Sequence, residues 1–154
     1  MIGDFAVSAL PLRKAYKQAL DNNVVGYSAN SVPVYDFVFD GKNFPYVVLG
    51  AHNSTTTDNG NLGTKQDWME QVRLSVHVFT GSSGQFRSSK EGHEIMRQVV
   101  SNACEGRGKN LDLGANHQLF YAVLDNYENS IEEWKTGRVH RFTAEFLHLI
   151  SYEP

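Results

Sequence analysis

The sequence predicts an α+β fold: a mainly antiparallel sheet with helices packed on one side and a long loop between the second and third strands. Three observations predict it. The stretch Trp68 to Thr80 alternates almost perfectly, with Val72, Leu74, Val76 and Val78 apolar and Gln71, Arg73, Ser75 and His77 polar, the period of a half-buried strand. Two segments, around Pro11 to Asp21 and from Ser88 onward, carry apolar residues at helical spacing. The remaining apolar runs are rich in aromatic and β-branched residues and are separated by turn signals. The expected order is helix, two strands, long strand, helix, two strands.

The first helix places Pro11 in its opening turn, where the missing N–H costs nothing. Leu12, Ala15, Tyr16, Ala19 and Leu20 form its apolar face, and Asp21-Asn22-Asn23 ends it. Val34 to Phe39 then predicts a strand. Asp40-Gly41-Lys42-Asn43 predicts a hairpin connection that returns the chain along Phe44 to Gly50. Ala51 to Asp67 follows as a polar loop, with Leu62 as the one aliphatic residue from His52 onward. Structureless loops above about 12–15 residues tend to be functional, so this one is expected to order against a partner. After the long strand, Gly81-Ser82-Ser83-Gly84 turns into a second helix. Ser88 and Glu91 predict a capping box, Ile95, Met96, Val99, Val100 and Ala103 a buried stripe, and Gly106 a left-handed stop. Leu119 to Leu124 predicts a strand apolar on both faces. Arg138 to Tyr152 predicts a final strand of roughly 50 Å at ~3.3 Å per residue. That exceeds what a small core needs, so part of it, or the tip Asn126 to Gly137, is expected to project.

Length and composition fit one domain spanning 1–154. The chain has 154 residues, 41% hydrophobic and 20% charged, with a formal net charge of −3. A domain of this size buries about two-thirds of its unfolded surface and needs no disulfide or metal staple. The slightly acidic balance, with Arg13-Lys14 and Arg107-Gly108-Lys109 as the largest basic clusters, argues against a nucleic-acid footprint. The single cysteine, Cys104, excludes an internal disulfide or a cysteine zinc site and reads as a buried thiol. Met1-Ile2-Gly3-Asp4 lacks the features of a signal peptide, and no apolar run approaches the ~20 residues of a membrane span. A protein made in the cytoplasm is expected, without membrane partners.

Each candidate catalytic constellation in the sequence falls short. His93-Glu94-Ile95-Met96-Arg97 begins like a helical zinc motif, but Arg97 replaces the second histidine. His77, His140 and His148 lie on strands and would have to converge to bind a metal. Gly60 to Lys65 has the wrong order for a phosphate loop and joins two strands. Glu132-Glu133 and Asp125 flank a hairpin tip, where solvated charge is the ordinary state. The expectation is a protein that is not an enzyme and takes no cofactor or metal.

The order and spacing of the elements resemble one family. The strand Pro45 to Gly50, a Thr/Asp/Gly-rich loop, the motif Trp68-x-x-x-Val72-x-Leu74-x-Val76-x-Val78-Phe79 and the helix with Ile95, Met96 and Val99 follow in turn. Arg138-x-x-Arg141-Phe142-x-x-Glu145-Phe146 closes the pattern. Over residues 9–152 the chain resembles the tail terminator (tail-completion, or tail-to-head joining) proteins of long-tailed bacteriophages. The resemblance implies a structural virion protein: a homohexameric ring that caps the tail tube and then docks the head-completion (connector) protein. DNA would pass through its lumen without being read. Under this resemblance the candidate contact residues are Thr55, Asp58, Leu62 and Lys65 on the loop, Trp68 at the strand start, and Trp134, Lys135 and Arg138 at the last hairpin. Two alternatives remain: another neck or tail-tube component, or a small ligand-binding domain using Ala51–Asp67 as a lid, with His52, Asp67 or His77 in its site.

Overall fold

A computed structural model of the chain describes residues 9–27, 30–36, 43–57, 68–81, 85–134 and 137–152. These form helix α1 (Ala9–Leu20), strands β1 (Val34–Tyr35), β2 (Tyr46–Thr57) and β3 (Trp68–Thr80), helix α2 (Gln85–Cys104) with a 3-10 turn at Glu105–Arg107, and strands β4 (His117–Trp134) and β5 (Gly137–Tyr152). The five strands make one sheet in the order β1-β2-β3-β5-β4. All pairings are antiparallel except β1 with β2. The expected α+β class holds.

The alternation of β3 does what its period dictates. Val72, Leu74, Val76 and Val78 are fully buried, joined across the ladder by Phe142, Ala144 and Phe146 of β5. Leu12, Ala15, Tyr16 and Leu20 of α1 and Ile95, Met96, Val99 and Ala103 of α2 complete the same core. The odd residues of β3 and β5 face the opposite way and are half-buried, except Val139, which is fully buried. Two glycines let α2 and its exit approach the sheet. A Cβ on Gly92 would lie 2.0 Å from the Phe142 ring, so the helix can sit this close only without one. Gly106 and Gly108 carry φ of 58° and 95°, the left-handed conformations that end the helix. Asn22, at φ 63°, closes α1, and the Asn23 side-chain amide donates to the Ala19 carbonyl at 2.9 Å.

Four expected boundaries are corrected. The hairpin between the first two strands does not form: β1 runs parallel to β2, pairing Val34 with Val47 and Tyr35 with Val48. Residues 37–42 lie outside the described residues. The polar segment Ala51–Thr57, expected as loop, continues β2, with Ser54 opposite Val72 and Thr55 opposite Gln71. Partnership with the long strand β3 carries the pairing through Ala51–Ser54 to the β-branched Thr55–Thr57, and an extra residue between Leu49 and His52 shifts the register by one. Only 58–67 separate β2 from β3, and those residues are outside the description. α2 begins at Gln85, so Ser88 lies inside the helix and does not cap it. Finally, the strand expected at Leu119–Leu124 extends to Trp134, and β4 pairs with β5 as far as Trp134 opposite Gly137. Most of the expected hairpin tip is therefore ladder.

Candidate assembly surfaces

β4 is the exposed edge of the sheet. Of nine large hydrophobic residues left exposed among the described residues, six lie on it: Phe120, Val123, Leu124, Tyr127, Ile131 and Trp134. Ile131 is the most open at 56%. Within Leu119–Leu124, expected as a strand apolar on both faces, only Ala122 is fully buried. Tyr127 is braced from α2, its hydroxyl 2.7 Å from His93 Nδ1. That histidine packs edge-on against Phe142 at 4.8 Å, and Glu94 is tied to Arg97. The residues of the incomplete zinc motif are thus engaged in packing and an ion pair.

Trp134 reaches beyond its own hairpin. Its ring lies 5.7 Å from both Phe44 and Phe79, and Tyr46 stacks on Phe44 at 5.3 Å and packs at a tilt against Phe79 at 5.2 Å. This second apolar cluster sits on the face away from the helices and fastens the end of β4 across β2 and β3. The Trp134 indole N–H donates to Glu132 at 3.0 Å, and Arg141 donates to the same carboxylate at 2.9 Å. The hydrogen bond from Arg141 holds the Glu132 carboxyl below its ordinary range. His77, on this face, lies 2.9 Å from the Thr143 hydroxyl; burial, then the Arg141 charge, lowers its pKa.

On the helix face, Tyr16 and His148 form a closed buried network. His148 Nδ1 lies 2.8 Å from the Val72 carbonyl, which can only accept, so that nitrogen carries the proton. Nε2 is then the acceptor for the Tyr16 hydroxyl at 2.5 Å. Burial pushes the His148 pKa down to about 4, against the opposing hydrogen bond to Val72, and raises that of Tyr16. His140 lies on the same face as His148 but eight residues along β5, about 26 Å at ~3.3 Å per residue, while His77 faces away from both. The three histidines do not converge. Cys104, half-buried at the end of α2, has its thiol pKa pushed up to about 11 by burial, which makes it a poor nucleophile.

The candidate contact residues scatter over three places. Thr55 is exposed near the end of β2, on strand and not loop. Trp68 opens β3 opposite Tyr152, its side chain outside the description. Trp134 and Arg138 flank the β4–β5 turn, Arg138 exposed and donating to Glu133 at 3.0 Å. Asp58, Leu62, Lys65 and Lys135 lie outside the described residues, as does Asp67. The edge residues Tyr127 and Ile131 were not among the candidates. Their signal was available: apolar residues spaced through an acidic, proline-free run.

No family model matches the chain, and no curated protein matches it. Among solved structures, a chain from the virion of native gene transfer agent (GTA) particle shares its fold. The identity is 16% and the TM-score 0.63, over 94% of this chain and 97% of that one. The correspondence runs nearly end to end, so the likeness is of the whole fold and not of one hairpin.

Proposed function

We propose that the chain is a structural virion protein of a tailed particle, a tail terminator whose ring caps the tail tube and joins it to the head connector. The observation that carries this is the end-to-end likeness of fold to a chain of a gene transfer agent virion. The order of motifs noted in the sequence supports the narrower role. A further support is the long apolar edge at β4, a surface suited to assembly. The protein works by docking and without catalysis. Its clustered ionisable groups serve the fold: Arg73 with Asp125 and Glu145, Arg141 with Glu132, His148 with Tyr16. A net charge of −3 suits a lumen through which DNA slides without being held.

A ring of identical subunits needs a heterologous interface that closes by rotation. Capping requires one ring face to complement the last ring of the tube, so that addition stops there. Particles assembled without this protein are expected to yield unattached heads and tubes of uncontrolled length, with joining restored when the purified protein is added. Normal joining and normal length in its absence would refute the role.

A further inference from the structure

The two open edges of the sheet differ in a way that assigns them to each other. Natural edge strands are protected by shortness, lysine, proline or a cover. β4 is weakly guarded: it is 18 residues long, contains neither Lys nor Pro, and, despite four carboxylates and bulges at Phe120 and Asp125, exposes apolar side chains on both faces. Leu124, Tyr127 and Ile131 lie on the helix side, opposite Phe146, Ala144 and His140, whereas Val123 lies opposite Leu147 on the other. A partner that covers both faces of an edge at once is another strand added in the plane of the sheet. At the far side, β1 covers only Val47 and Val48 of β2, leaving the outer edge of His52–Thr57 unpaired among the described residues, with His52 to Thr55 exposed.

We infer that β4 of one copy adds to the outer edge of β2 of the next copy, continuing the sheet from subunit to subunit. Charge selects this pairing over β4 with β4. β4 carries neither Lys nor Arg; its Asp125, Glu132 and Glu133 are already held by Arg73, Arg141 and Arg138, but self-pairing would set Glu128 of one copy among the carboxylates of the other. Glu128 has no ion-pair partner among the described residues to offset that. β2 carries no carboxylate at all. The helix side fits as well. Arg13 of α1 donates to the carbonyls of Leu49 and Gly50 and so anchors α1 along this edge. Leu10, one turn away and 72% exposed, stands there to meet Leu124 or Ile131 of the neighbour. Because the edges lie at opposite ends of the order β1-β2-β3-β5-β4, the contact is head-to-tail and propagates.

This interface rests on the ring proposed above, and the test separates the two. One variant blocks β4 with Ile131→Glu, with Leu124→Glu as its replacement should the first fail to fold. The other blocks β2 with Asn53→Asp and Thr55→Asp, which faces carboxylates toward the acidic β4. Circular dichroism matching wild type establishes folding, and native mass spectrometry reads assembly. Wild type is expected as rings and each variant alone as the 17.3 kDa monomer. A 1:1 mixture is expected to stop at a heterodimer of twice that mass, since only one good edge of each kind remains. If the β2 variant still dimerises alone while the β4 variant does not, β4 pairs with itself and the inference is overturned. It is overturned too, with the ring intact, if both variants still form rings. A wild type that never self-associates but binds tail tubes through β4 overturns it in favour of the tube as occupant. A wild type that neither self-associates nor binds tubes fails the ring proposal itself, and this interface with it.

Discussion

At the scale of single residues, the strongest commitments are buried polar pairs and close approaches. Tyr16→Phe removes the donor to His148 Nε2 and leaves that nitrogen buried without a partner. The expected loss is about 1–3 kcal/mol in urea unfolding. His148 also sets a pH dependence. Its folded pKa of about 4 lies below the ordinary histidine value, so between pH 6.5 and 4 the unfolded state holds a proton that the folded state refuses. Stability from this group is therefore fully present above about pH 6.5 and is lost as pH falls toward 4, by up to about 3 kcal/mol. Subtracting the profile of His148→Asn from that of wild type isolates the effect; a difference that does not change across this window would remove the histidine from the account. Gly92→Ala gains helix propensity but drives a methyl into Phe142. The overpacking, about 1–3 kcal/mol, is expected to win and lower the urea midpoint.

At the scale of elements, legibility tracked how much of the answer was local. β3 and β5 were readable because burial on one face imposes a period of two, and α1 because its stripe repeats at helical spacing. Ala51–Thr57 was not readable. Thr55-Thr56-Thr57 is β-branched and compatible with a strand, but Ala51 to Ser54 is not apolar and does not alternate, and the extension comes from the ladder to Met69–Leu74. The parallel pairing of β1 was hidden for a related reason, since Asp40-Gly41 is a hairpin signal whatever the distant partner of Val34 turns out to be. β4 was read only in part. Its apolar start was visible, but Asn126 to Glu133 looks like a polar tip until its pairing with β5 is known. The contact residues suffered most, because an interface residue such as Ile131 is apolar for reasons that lie on another molecule.

At the scale of the whole molecule, one sheet carries a core on its helix face, a smaller aromatic cluster around Trp134 on the other, and two unlike open edges. The fold it shares with a chain of a gene transfer agent virion was foreseeable from the order of motifs, although single motifs were soft hydrophobic patterns. Under the function proposed, copies of this chain close into a ring that ends a tail tube. Electron microscopy of the purified protein, alone and with tail tubes, tests it most directly. Closed rings with a central hole are expected, with one such ring seated at the end of each tube. Dispersed single subunits in both samples, with bare tube ends, would contradict it.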